Sequence, residues 1–204
     1  FLAQLLFASW GPDTVKLAAA RLVGTGQLAA FGFAAAFTSM LQRYLPVFLL
    51  MNLIRPLFVT ARARDDYRTR LPFMASLVFK LNVFALAPLV AFVATSHTPL
   101  ASLLSGGRLP DAGIYLLYFM AVLLAQSLRG VFSMVAQAME IGRATLFGTL
   151  LGTLGLGIGL WASTGLGIQG LCVGLVISEL LWCFSLTVNF RHAGVHMQLD
   201  LASL

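Results

Sequence analysis

The sequence predicts an all-α integral membrane protein, a bundle of about six transmembrane helices. The first observation is composition: 59% of the 204 residues are hydrophobic and only 10% are charged, whereas soluble proteins carry about 25% charged residues. A soluble chain of this length could not hide so much apolar surface from water. The second observation is that apolar stretches of about 20 residues, the length of a membrane span, follow one another along the chain. The third is that no alternation of strand type persists anywhere.

The first two predicted spans are the irregular ones. Residues 1–24 form a weak span, because three charged residues interrupt its apolar character. Residues 27–59 form a long second span, and Pro46 predicts a bend in it, since proline removes a backbone hydrogen bond and clashes with the preceding turn. The chain starts at Phe1 without the basic region of a signal peptide, so we interpret this end as cut: the chain is either a fragment or lacks its first residues.

The other four predicted spans are continuous apolar helices. They cover residues 71–95, 112–139, 144–163 and 166–190. The loop between the first two of these has room for one short surface helix, and residues 191–204 form a tail.

The basic residues of the loops predict how the helices are oriented. Four arginines fall in the short loop 61–70, which the positive-inside rule places in the cytoplasm. The two further loops on this side add Arg143 and Arg191, whereas the loops of the opposite side contain only Arg108. We therefore expect a cytoplasmic C-terminus and an external loop at 97–111.

Six basic residues remain, and all of them lie within predicted spans: Lys16, Arg21, Arg43, Arg55, Lys80 and Arg129. A charge at the bilayer centre costs at least about 2.5 kcal/mol on insertion scales. Arg55 lies near a span end, where its head group either reaches the membrane interface or serves a site. Arg43, Lys80 and Arg129 lie deeper, and for these we expect a water-filled cavity.

A polar stripe on the fourth span favours such a cavity. At about 100° per residue, its members fall within about 80° of arc; they are Gln126, Arg129, Ser133, Gln137 and Glu140. A stripe of this kind borders either a polar cavity or a neighbouring polar helix, and the arginine within it favours the cavity. Glu179 in the last span is either a coupling carboxylate that carries a proton or the partner of a buried cation, and both interpretations stay open.

The remaining motifs indicate packing rather than chemistry. The glycine-rich stretch 165–170 is a turn between helices and lacks the preceding strand that a dinucleotide site needs. Glycines at a four-residue spacing indicate close helix packing; they are Gly148, Gly152, Gly155, Gly159, Gly170 and Gly174. The histidines and cysteines form no cluster, so we predict no metal, no cofactor and no catalytic triad. The cations do not gather on a soluble domain, which argues against nucleic acid as a partner.

The order of these features resembles the polysaccharide-biosynthesis flippases of the multidrug/oligosaccharidyl-lipid/polysaccharide exporter superfamily. The elements that carry the resemblance are Asp13, the "LVG" and "FGFA" stretches, the two prolines that follow, "KLNVFALAP" and "GLGIQGLCVGLVISELLW". In that family two six-helix bundles face each other around a central cavity. The resemblance therefore makes this chain one half of a two-bundle transporter fold, the C-terminal half, and makes an N-terminal bundle its missing partner.

The resemblance also implies a function. It implies a multi-pass transporter, not an enzyme, in the bacterial inner membrane. The transporter would flip a polyprenyl-diphosphate-linked oligosaccharide, a repeat unit of O-antigen or exopolysaccharide, from the cytoplasmic to the outer leaflet by alternating access. Arginine suits this substrate because it stays protonated and binds phosphate bidentately. The expected substrate-binding residues are Asp13, Lys16, Arg21, Arg43, Arg55, Lys80, Gln126, Arg129 and Gln137.

Two alternatives remain. A drug or small-molecule exporter of the same fold would need acidic residues to bind cationic substrates, whereas basic residues outnumber acidic ones in these spans. An integral membrane glycosyl- or acyltransferase would need an acid or a histidine at a membrane face, and such enzymes usually carry a larger soluble loop than any in this chain.

Overall fold

The structure, a computed structural model, describes residue 20 and residues 25–109 and 111–197. Within these residues every regular element is an α-helix, which confirms the all-α prediction. The expected first span at 1–24, with Asp13, Lys16 and Arg21, lies outside the described residues except for residue 20.

The second predicted span is divided into three helices, α1 (Thr25–Tyr44), α2 (Pro46–Leu49) and α3 (Met51–Arg62). Leu45 has extended backbone angles, φ −70° and ψ 140°, because the ring of a following proline disfavours the helical conformation. The predicted bend at Pro46 is thus confirmed. The sequence did not predict the second break, at Leu50, where φ is −95° and ψ is 4°.

The other helices are α4 (Tyr67–Leu104), α5 (Ala112–Ala138), α6 (Gly142–Leu166) and α7 (Ile168–His192). Among the described residues, these four helices are long and apolar enough to cross a membrane. The expected number was about six. The difference arises because the first expected span lies outside the described residues and the second is broken into three helices. Helices α2 and α3 are too short to cross a membrane, and α1, although 20 residues long, is not among the four helices that are both long and apolar enough.

Helix α4 extends nine residues beyond the predicted end of its span at residue 95. It is kinked at Ser96, where φ is −128° and ψ is 18°. Pro99 explains the kink, because a proline in a helix cannot donate to the carbonyl four residues earlier. The short surface helix expected in this loop is therefore the last part of α4, and the connection to α5 is shorter than 97–111.

Helix α5 is the centre of the bundle. Its apolar stretch is 67% buried, compared with 22% to 50% for the other three long helices. It packs against α1, α3, α4 and α7. Phe31, from the aromatic stretch of α1, is buried. The centre of its ring lies 5.2 Å from that of Phe119, with the rings tilted, and 6.4 Å from that of Tyr115, edge to face. Side chains on α5 are consequently held by neighbours on several sides.

Helices α6 and α7 form a tightly packed hairpin. A β-carbon added to Gly159 would lie 2.6 Å from the Cα atom of Gly174, and one added to Gly155 would lie 2.6 Å from the Cα atom of Ser178. The two backbones therefore approach closely along their length. This confirms the packing role predicted for the spaced glycines.

Candidate functional site

An ion pair joins the two most buried long helices. Arg129 on α5 donates from Nη1 to Oε2 of Glu179 on α7, at 3.0 Å. Glu179 is 8% exposed, whereas the Arg129 side chain is 39% exposed. A carboxylate in this setting needs a partner, because removing its charge from water is costly. Of the two interpretations of Glu179, pairing with a cation is therefore the arrangement present in this structure.

Gln126 and Trp182 complete a group of side chains that we call the Arg129 cluster. Its members are Gln126, Arg129, Glu179 and Trp182. Gln126 donates from Nε2 to Oε1 of Glu179 at 3.5 Å, which is a long and weak hydrogen bond. The Arg129 guanidinium carbon lies 4.8 Å from the centre of the Trp182 ring, within the range of a cation–π contact. Each helix supplies two residues three positions apart, so both pairs share one helix face.

Helix α6 shapes the space for the indole ring of Trp182. A β-carbon at Gly148 would lie 3.1 Å from Cδ1 and from Nε1 of Trp182. The missing side chain at Gly148 therefore lets α6 close over the ring. Within the part of the chain that the structure describes, Trp182 Nε1 has no hydrogen-bond partner and is buried. Burying this indole N–H without a hydrogen-bond partner costs free energy.

The geometry lets Arg129 bind an anion while it stays paired. A guanidinium has five N–H donors, and Nη1 makes the bond to Glu179. Because the Arg129 side chain is 39% exposed, part of it lies at the surface of the bundle. Charge-assisted hydrogen bonds to phosphate or carboxylate are short and strong, especially where surrounding helices are apolar.

The rest of the predicted stripe continues along the same face of α5. Ser133 is half-buried and accepts a hydrogen bond from Nε2 of Gln137 at 3.2 Å. Gln137 and Glu140 are exposed. Exposure thus rises from Gln126 towards the end of α5 that the charge pattern assigns to the cytoplasm. The stripe contacts Glu179 on α7 near Gln126 and Arg129, and it is exposed at Gln137 and Glu140.

The other expected cations lie elsewhere in the bundle. Arg43 is in the last turn of α1 and Arg55 is on α3; both are exposed, and among the described residues neither bonds to the Arg129 cluster. Lys80, on α4, is half-buried. The structure therefore brings together Gln126, Arg129 and Glu179, but it does not join Arg43 or Arg55 to them.

Sequence reasoning missed Asn82. It is fully buried on α4, and its Oδ1 accepts a hydrogen bond from the backbone N–H of Val47 at 3.1 Å. Because Pro46 breaks the helix, the amide of Val47 lies in a first turn, where helical N–H groups have no partner within the helix. Asn82 supplies that partner from another helix. The signal that could have found it is a lone amide in the apolar stretch "KLNVFALAP".

Within residue 20 and residues 25–109 and 111–197, no group of three or more His, Cys, Asp or Glu residues could hold a metal ion. No protein-family model, curated protein or solved structure matches the chain. The class defined by the described residues is therefore a helical bundle with four helices of membrane-spanning length and a charged pair between two of them.

Proposed function

We propose that this chain is one bundle of a membrane transporter that flips a polyprenyl-diphosphate-linked oligosaccharide from the cytoplasmic to the outer leaflet. The observation that carries the proposal is the Arg129 cluster. A charged pair in apolar helices is costly, and an arginine that is paired yet 39% exposed is suited to bind an anion. A diphosphate is such an anion, and lipid alone does not accept its charge.

The broken second span supports the movement that the proposal requires. Alternating access needs a bundle that rocks or gates around its substrate site. Helix α2 is one short turn between two breaks, and irregular backbone at membrane depth is tolerated where protein or water satisfies its polar groups. Asn82 satisfies one of them through the amide of Val47.

The proposal includes a location and a partner. The loop arginines orient the bundle with its C-terminus in the cytoplasm and the connection after α4 outside. The bundle is placed in the bacterial inner membrane, with lipid around it and an N-terminal bundle facing it across the cavity. This second bundle supplies the opposing wall for the polar stripe of α5.

A carboxylate in the same cluster favours the second candidate, an exporter of cationic small molecules. Glu179 is the kind of buried acid that such an exporter would use. Its charge is already balanced by Arg129 at 3.0 Å, so a cationic substrate would have to compete with a guanidinium. An anionic substrate needs no such displacement, and we favour it for this reason.

The test is substrate choice by the complete transporter in vesicles. We expect movement of the lipid-linked oligosaccharide between leaflets and no movement of a cationic dye. Dye efflux without lipid flipping would replace the proposal with the exporter. Formation of a new sugar or acyl linkage would replace it with the transferase class.

A further inference from the structure

A second group of arginines surrounds Tyr67, at the end of the bundle opposite Arg108. The guanidinium carbon of Arg62 lies 3.9 Å from the centre of the Tyr67 ring, and that of Arg68 lies 5.8 Å from it. Arg68 also donates from Nε to Oη of Tyr67 at 3.3 Å. We call Arg62, Tyr67 and Arg68 the Tyr67 cluster. The guanidinium groups of Arg62 and Arg68 therefore both lie close to the same ring.

The C-terminal turn also adjoins this cluster. Gly194, at φ 74°, follows α7, and a β-carbon there would lie 3.7 Å from Cζ and Nε of Arg68. The turn therefore lies next to Arg68 at the end of α7, where Arg191 is exposed. The cluster is part of the folded bundle and not only of a loop.

The two cations of the cluster are in no ion pair within the part of the chain that the structure describes, although Asp65 and Asp66 lie in the same loop. In the described ranges, the ion pair of this loop joins Arg70 to Asp66 at 3.9 Å, and none joins Arg62 or Arg68 to a carboxylate. Two guanidinium groups near one ring, neither of them in an ion pair among the described residues, are suited to bind a phosphate through several N–H donors.

The apolar residues beside the cluster indicate which phosphate would bind. Phe73 and Leu77 lie one to three turns along α4 and are 69% and 58% exposed. Leu57 and Val59, near the end of α3, are 56% and 53% exposed. A phosphate bound at the cluster would thus have exposed apolar residues further along both helices, which suits a molecule whose phosphate carries acyl chains.

We propose that the Tyr67 cluster is a binding site for the phosphate headgroup of an anionic phospholipid. The site rests on the membrane insertion that the proposed function includes, but not on transport. Lys and Arg near an anionic leaflet contribute about 1 kcal/mol each, which is about fivefold in affinity per residue. The bound lipid would fix the loop between α3 and α4 at the membrane surface.

The experiment measures binding of fluorescent phosphatidylglycerol and phosphatidylcholine to the purified protein. We expect the wild type to prefer phosphatidylglycerol, and Arg62→Gln with Arg68→Gln to weaken its binding about five- to thirtyfold. The matched control is Arg64→Gln with Arg70→Gln, which removes the same charge from the same loop without touching the ring. It should retain most of the preference.

Three results would overturn the proposal. Equal losses in the two double variants would show that loop charge alone attracts the lipid. No loss in either would place the lipid elsewhere. Displacement of phosphatidylglycerol by an equal concentration of inorganic phosphate would show that the acyl chains do not contribute.

A second double variant keeps the test valid if the glutamine variant fails to fold. Arg62→Lys with Arg68→Lys keeps both charges but not the planar fork, and it should show intermediate affinity. Helix content by circular dichroism checks each variant. Because no transport is measured, the lipid site can fail while the proposed function stands, and the reverse holds as well.

Discussion

At the residue scale, the ion pair between Arg129 and Glu179 links stability to charge. Glu179 is 8% exposed, so removing its partner leaves a carboxylate with little water around it. Loss of one partner of a fully buried pair costs about 3–5 kcal/mol. The Arg129 side chain is 39% exposed, which lowers the expected cost.

We predict that Arg129→Gln lowers the free energy of unfolding by about 2 kcal/mol. The double variant Arg129→Gln with Glu179→Gln should lose less than the two single variants together, because it leaves no unpaired charge. Denaturant titration of the protein in detergent measures both. Arg108→Gln, an exposed arginine, is the control and should be nearly neutral. Strict additivity of the two changes would show that the pair contributes no coupling.

The sequence predicted the polar stripe of α5 but not its partner. Periodicity assigns residues to one face of a helix. It contains no information about which other helix that face meets, and Glu179 lies 50 residues away from Arg129. The same limit applies to Asn82, whose bond to Val47 spans 35 residues. Both contacts depend on how helices are rotated against each other, which single-sequence patterns do not fix.

At the element scale, the α6–α7 hairpin depends on glycines that face the partner helix. Gly159→Ala would place a β-carbon 2.6 Å from the Cα atom of Gly174, so the helices must separate. Overpacking of this kind costs about 1–3 kcal/mol. We predict a loss of that size in the free energy of unfolding.

Gly157 supplies the matched control on the same helix. A β-carbon there has nothing within 4 Å, and alanine is the better helix former by about 1 kcal/mol. Gly157→Ala should therefore be neutral or stabilising. Equal losses at the two positions would show that the close approach of α6 and α7 does not decide the stability of the hairpin.

The close packing of helices at these glycines was predictable, because a four-residue repeat of glycine on an apolar helix typically indicates such packing. Helix ends were less predictable. The third predicted span ends at residue 95. The structure continues the helix to Leu104 through a kink at Ser96, because a proline bends a helix without always ending it.

At the scale of the whole molecule, the charge of the loops predicts which end faces the cytoplasm. Leu104→Cys and Asp66→Cys place thiols at exposed positions at the two ends of the bundle. A thiol reagent that does not cross membranes should label residue 104 from outside and not residue 66. The native Cys172 and Cys183 are buried, so background labelling should be low. Labelling of residue 66 alone would reverse the topology.

The account as a whole depends on Arg129 as the group that binds a diphosphate, and transport by the complete transporter tests this most directly. A charge-assisted hydrogen bond is worth about 1.5–3 kcal/mol, so Arg129→Gln should lower the flipping rate of the lipid-linked oligosaccharide about ten- to a hundredfold. Arg129→Lys should recover part of the rate, because an ammonium keeps the charge but not the fork. The double variant with Glu179→Gln should stay slow. Full recovery in that double variant, or a normal rate for Arg129→Gln, would contradict the account.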